Sequence, residues 1–409
     1  MTSAHTRAPR DASSGLSRYL IGFACAALIT ASPFAASALF LYQVGETLSP
    51  AAAVDRTRAQ EGLYGTAVNA NTPDVKLALV AATKPDVVAL GSSRSLQFRH
   101  FFFTSSFANA GGVMGELEDA RLFLEQMRRF HRPKMLILQL DHWWFLTHQG
   151  PRPTRPMAGP DAATEVTLQK LVRPYEWMLD GSLTPSVFLR GLVGGSIDAG
   201  WTGYTPIGVQ ANRIGRGLRA DGSYLDAKLW IGESPGHGSE QFRQTLTNLA
   251  RGREKWDPTR RLDPAMIADL QAIIDLARES AEEVVVFLPS LPAPVYQALD
   301  ASPSGGAVRD IRAALADGVR SVPYFDFHNP ATLDDTACEY LNGDHGGDVS
   351  YARILLAMAE APGSPLAAHV DVDRLEALIE RWRGHAFIPR DEDRYPYDEA
   401  DFLGLGCEK

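Results

Sequence analysis

Several short runs in this chain are apolar at consecutive positions, not at alternate ones. They are DVVALG (Asp86–Gly91), KMLILQLD (Lys134–Asp141) and EVVVFLP (Glu283–Pro289), with shorter companions FANAGG (Phe107–Gly112) and VPYFDF (Val322–Phe327). Uninterrupted runs of this length predict strands buried on both faces, the signature of a parallel sheet. The segments between them repeat with helical spacing. In Glu116–Phe130 the apolar residues fall at 117, 120, 122, 123 and 127, and Asp263–Ser280 opens with an Asp-Pro start signal. Gly306–Val319 and Asp348–Ala361 read as two more helices, and another is expected near 371–384. The alternation predicts an α/β fold, three-layer α/β/α, around a parallel five-stranded sheet of flavodoxin-like type. Residues 145–262 break the rhythm. They are rich in Gly, Pro and Arg, and read as an insertion or lid within one extracytoplasmic domain, residues 44–409.

The N-terminus follows another pattern. From Tyr19 to Tyr42, 24 residues carry no charge. At about 1.5 Å per residue such a helix crosses a hydrocarbon core of about 30 Å. A cleaved signal peptide is the competing reading, but its apolar stretch is usually about 7–15 residues. Ala36-Ser37-Ala38, the one passable cleavage site, lies inside the run. We therefore expect an uncleaved transmembrane anchor at 19–43. Three arginines precede the run and Glu46 follows it, so the positive-inside rule puts the stub, residues 1–18, in the cytoplasm and the body outside it.

Charge sharpens this division. Of a net −9, residues 1–43 carry +2, leaving −11 on the rest, which argues against a nucleic-acid surface. Composition is ordinary for a folded protein, at 45% apolar and 22% charged. Outside the cytoplasm a disulfide is permitted, and Cys338 and Cys407 are the candidate pair. His142, His148, His328 and His345 lack the i, i+4 spacing of a helical metal site, and LGSSRS lacks the lysine of a phosphate loop. No metal and no cofactor are expected.

In open parallel sheets the chemistry gathers beyond the carboxyl ends of strands. One such end reads LGSSRS, with Ser93 in a tight turn whose backbone N–H points at any oxyanion formed there. A serine helix cap fits the same turn equally well. A second end delivers Asn342-Gly343-Asp344-His345 just before a helix, and histidine suits general-base work near neutral pH. Trp143 is a candidate sugar platform or a packing residue. Arg94 is a candidate anion contact or a salt-bridge partner.

Taken together, LGSSRS, FANAGG with Gly115, and NGDHGGDVSYARIL resemble, in order and spacing, the blocks of the SGNH/GDSL hydrolase superfamily. Within it, the chain resembles membrane-anchored bacterial members such as the alginate O-acetylation proteins and the teichoic-acid D-alanylation protein. The resemblance covers roughly residues 84–142 and 283–361. It implies Ser93 as nucleophile, His345 as base, and an oxyanion hole near Gly112, Gly115 and Asp141. It also implies a periplasmic domain on the bacterial inner membrane, acting on O-acyl groups of a cell-surface or exported polysaccharide, beside a membrane-bound O-acyltransferase partner. Two departures stand out. The usual D-x-x-H reads Asn342-x-x-His345, leaving Asp344 or Glu339 to supply the charge. The third block ends LQLDHWWF, with Asp141 but without the usual asparagine. A catalytically inactive member that binds polysaccharide or a partner is the alternative.

Overall fold

A computed structural model describes residues 12–389, apart from 70, 149, 151, 195–202 and 227–236. It divides into two units, residues 1–47 with 165–197, and residues 48–164 with 198–409. The expected insertion at 145–262 is therefore split: its middle third groups with the N-terminal helix, and its two ends belong to the body.

The first unit contains α1 (Ala12–Gln43) and two helices contributed by the insertion, α5 (Leu168–Leu179) and α6 (Pro185–Leu192). Within α1, Leu16–Gln43 is long and apolar enough to cross a membrane.

The body begins with α2 (Pro50–Ala59), β1 (Gly62–Tyr64), α3 (Thr72–Thr83), β2 (Val87–Leu90), β3 (Phe107–Ala110), α4 (Leu117–Met127) and β4 (Met135–Gln139). After the insertion's first helices come β5 (Thr205–Ile207), α7 (Val209–Ile214), β6 (Arg216–Leu218), β7 (Tyr224–Asp226) and α8 (His237–Ala250). The chain continues through α9 (Pro264–Ser280), β8 (Glu283–Leu288), α10 (Ala293–Asp300), α11 (Gly305–Gly318), β9 (Tyr324–Asp326), α12 (Asp348–Glu360) and α13 (Val372–Arg381).

The main sheet is five-stranded and all parallel, in the order β3-β2-β4-β8-β9. Counted within this sheet, the order is 2-1-3-4-5, which doubly wound folds use, and its switch point lies between β2 and β4. Register aligns Val87 with both Phe107 and Met135. The continuous apolar runs have a direct cause. Val88, Leu90, Leu136, Leu138 and Val286 enter one core with residues of α3, α4, α9 and α11. Their neighbours Val87, Ala89, Ile137, Val285 and Phe287 enter another with residues of α12 and α13. Full burial of each such Val, Leu or Phe stabilises the fold by about 1.5–3 kcal/mol.

Helix starts follow local chemistry. At α4, Glu116 and Asp119 form a reciprocal capping box. At α9, Asp263 accepts from Ala265 N–H and Pro264 occupies the first turn.

The sequence reading assigned no strand outside this sheet. A second, four-stranded sheet, β5-β1-β6-β7, joins the segment before β2 to the far end of the insertion. Cys338 is buried and disulfide-bonded, while its expected partner, Cys407, lies outside the described residues.

Candidate active site

At the carboxyl end of β2 the chain turns through Gly91 and Ser92 into a 3-10 turn, Ser93–Gln97. Gly91 is needed there, since a Cβ would sit 2.6 Å from the side-chain oxygens of Gln139 and Ser95. Ser92 is the residue that caps the turn. Its Oγ accepts from Arg94 N–H at 3.2 Å, and its own N–H and hydroxyl donate to Gln139 Oε1 at 2.8 and 3.0 Å. Asn109 of β3 clamps the turn from below, donating to Ser95 O and Phe98 O, both at 2.9 Å. The cap and the clamp leave the next side chain, Ser93, exposed.

The loop after β9 brings His345 to it, 252 residues away in sequence, with His345 Nε2 lying 2.9 Å from Ser93 Oγ. On the other ring nitrogen, Asn342 Oδ1 accepts from Nδ1 at 3.0 Å, and Asp344 Oδ1 lies 2.8 Å away. Asn342 Oδ1 also accepts the backbone N–H groups of Asp344 and His345, so three donors fix its amide orientation. Those contacts assign the proton to Nδ1 and leave Nε2 as a base facing the hydroxyl.

Asp344 is only 16% exposed, and its second oxygen pairs with Lys255 Nζ. Burial pulls its carboxyl pKa upward, but the Lys255 ammonium and then His345 outweigh burial and hold it well below the ordinary carboxylate range. The charge that position 342 lacks is thus supplied from 344. Glu339, the other expected substitute, is spent on Arg353 and on Gly384 N–H. Lys255 comes from the 3-10 turn Glu254–Trp256, and its Nζ rests 4.1 Å over the Trp143 ring. Nothing in its sequence neighbourhood marks it. The half-buried Trp143 meets this ammonium and, at 5.6 Å, the Arg94 guanidinium, which is a packing role.

Several expectations need correction. Arg94, a candidate anion contact, is 1% exposed. Its guanidinium bonds Asp141 Oδ1 at 3.0 Å and the carbonyls of Asp344, Pro289 and Ser290, so it is a strut between four loops. Asp141, expected near the oxyanion, is buried in that ion pair, where burial raises its pKa and Arg94 opposes the rise. The N–H of Gly112 donates to Ser92 O at 2.8 Å, and that of Gly115 to Asp119 Oδ2 at 2.7 Å. Neither expected glycine donor is available in this arrangement. The Ser93 N–H has no hydrogen-bond partner among the described residues and remains the one backbone donor beside the hydroxyl. Behind the site, His142 and His328 are buried, and burial lowers the His328 pKa to about 3.

Ser93 opens on its other side into a cavity of about 400 Å³. Its lining includes Gly112, Asn71, Tyr64 of β1, Leu218 of β6 and Tyr224 of β7, so the second sheet walls it. Asn71 stands at the helix-cap position of α3, makes no side-chain capping bond, and is among the residues that line the cavity. A larger cavity of about 570 Å³, between α4 and α9, includes neither Ser93 nor His345 in its lining.

A hydroxyl in contact with an oriented imidazole, which is itself braced by a carboxylate, is an activated nucleophile. No protein-family model, no curated protein and no solved structure matches the chain.

Proposed function

We propose that the chain is a membrane-anchored serine acyltransferase or esterase of SGNH-like, three-layer type, acting on O-acyl groups of a polysaccharide. The observation that carries this reading is the 2.9 Å contact between Ser93 Oγ and His345 Nε2. The 2-1-3-4-5 strand order, with Ser93 at the switch point, supports the fold assignment. In the reaction, Ser93 Oγ attacks the ester carbonyl carbon as its proton passes to His345 Nε2. The protonated imidazole, steadied by Asn342 and Asp344, then returns that proton to the departing alkoxide. A sugar hydroxyl or water resolves the acyl-enzyme by the same route in reverse. Acetyl as the acyl group, transfer in place of hydrolysis, a membrane-bound O-acyltransferase as partner and a periplasmic location rest on the family resemblance and on the N-terminal charge pattern.

The test is labelling of the full-length protein in detergent by a fluorophosphonate, beside turnover of an acetyl ester. Ser93→Ala should abolish the label and lower turnover by about 10⁴-fold or more. Turnover that survives the substitution rejects the mechanism. One observation favours a second reading, a non-catalytic polysaccharide-binding protein: both glycine N–H groups expected in the oxyanion hole are already bonded. That reading predicts no label on the unmodified chain.

A further inference from the structure

Every large apolar side chain that stands exposed among the described residues falls within 16–42 or 166–193. The first stretch is the apolar part of α1. The second is α5, α6 and their flanks, with Leu168 at 65%, Leu179 at 89% and Val193 at 82% exposure. α5 is two-faced. At about 100° per residue, Met178, Leu171, Tyr175, Leu168, Leu179 and Val172 share an arc of about 120°. Gln169, Lys170, Arg173 and Glu176 lie outside it.

Part of that apolar arc already touches α1. The Tyr175 hydroxyl donates to the carbonyl of Pro33, and Phe188 of α6 packs on Phe40 with ring centroids 4.8 Å apart. Gly191 lets α6 come this close, because a Cβ there would lie 2.5 Å from the Phe40 ring. Pro33 fixes the depth. It lies nine residues before Tyr42, the end of the uncharged run. At 1.5 Å per residue that is about 14 Å inside the run. The run is about 36 Å long against a hydrocarbon core of about 30 Å. Even with all of the surplus on this side, Tyr175 contacts α1 about 8 Å below the hydrocarbon boundary.

We infer that α5 and α6 form an interfacial hairpin embedded in the lipid leaflet that holds the C-terminal end of α1. The occupant of their exposed apolar face is acyl chain, and the polar residues of α5 face the head groups. The inference rests on α1 crossing the membrane and is independent of the chemistry at Ser93.

The test uses the full chain with Cys25→Ser, which removes the free thiol of α1 and also sets the labelling background. Leu179→Cys and Val193→Cys, each carrying an environment-sensitive fluorophore, are reconstituted in phosphatidylcholine vesicles containing spin-labelled lipid. Both should emit at shorter wavelength and lose fluorescence to the same extent as a probe on native Cys25. Glu279→Cys on α9 should show a water-like, unquenched signal. If the two hairpin probes behave like Glu279→Cys while the Cys25 probe is quenched, the hairpin inference fails alone; that result would leave the face to a protein partner. If the Cys25 probe is unquenched as well, the membrane span fails with it.

Discussion

On the side of Ser93 that faces His345, two other stretches of chain converge, the loop that carries His345 and the turn Glu254–Trp256. Asn342 orients the ring, Asp344 sets a carboxylate against it, and Lys255 keeps Asp344 ionised. On the side that faces the cavity, the backbone offers the Ser93 N–H, while the two neighbouring glycine N–H groups are turned inward to Ser92 and Asp119. The difference separates two requirements of acyl transfer. Proton movement is built from side chains, one of them brought from 89 residues away. Oxyanion stabilisation depends on the direction of a few backbone N–H groups, and losing one donor typically costs about 10²–10³ in rate. On the proposed reading, the groups for the first are all in place and those for the second are few. Labelling at Ser93 is therefore expected to be more robust than turnover.

The largest effect that sharpens this contrast should come from Asp344→Asn. It keeps the shape and removes the charge, so the imidazolium loses its counter-ion and turnover should fall by about 10²–10⁴-fold. Asn342→Ala removes an orienting contact and leaves the charge in place, and its loss should be smaller. If the ranking is reversed in ester-turnover assays, orientation by Asn342 is what activates His345, and the neighbouring carboxylate is a bystander.

Lys255→Met should have a smaller effect, visible mainly against pH. Lys255 is the strongest influence lowering the Asp344 pKa, so its removal lets the carboxyl protonate at higher pH. The acid limb of the turnover profile should then move upward. The stability effect has a definite sign. Because the folded-state pKa is depressed, the pair's stabilisation is complete above the ordinary carboxylate value of about 3.9 and fades as pH falls through the lower folded value. Denaturant unfolding should show a constant gap between the two proteins near neutrality that narrows under acid. A gap that widens under acid contradicts the ion pair.

The two sides of Ser93 were not equally legible in the sequence. Ser93 and His345 follow from glycine- and serine-rich strand ends and from their order along the chain. The main sheet follows from continuous apolar runs, because burial on both faces writes itself into every position. Lys255 carries no signal, since its partner lies 89 residues away on another loop. Arg94 looked like a surface cation because its acceptors are as much as 250 residues distant and mostly backbone carbonyls. Strands of three residues, as in β1, β5, β6 and β7, are too short to show a period. The N–H groups of Gly112 and Gly115 point inward for a reason that sequence does not carry: residue identity does not set the direction of a backbone N–H.

The smallest expected effect tests the cavity side directly. Asn at a helix-cap position normally bonds the first turn, and its replacement by Ala typically costs about 1 kcal/mol. Asn71 makes no such bond to α3 and instead lines the cavity beside Ser93. Asn71→Ala should therefore leave unfolding free energy unchanged within about 0.5 kcal/mol, the range of an ordinary surface change. Its cost should appear in catalysis, as a loss of about tenfold in kcat/KM, the size of one hydrogen bond of about 1.4 kcal/mol. The split between the two constants then carries the information. A rise in KM alone means that the amide holds the ground-state substrate, so the oxyanion side is as sparse as it looks. A fall in kcat means that Asn71 bonds the developing oxyanion, the role for which the sequence after β4 offers no asparagine. A stability loss of a full cap, with catalysis unchanged, would return Asn71 to a structural role.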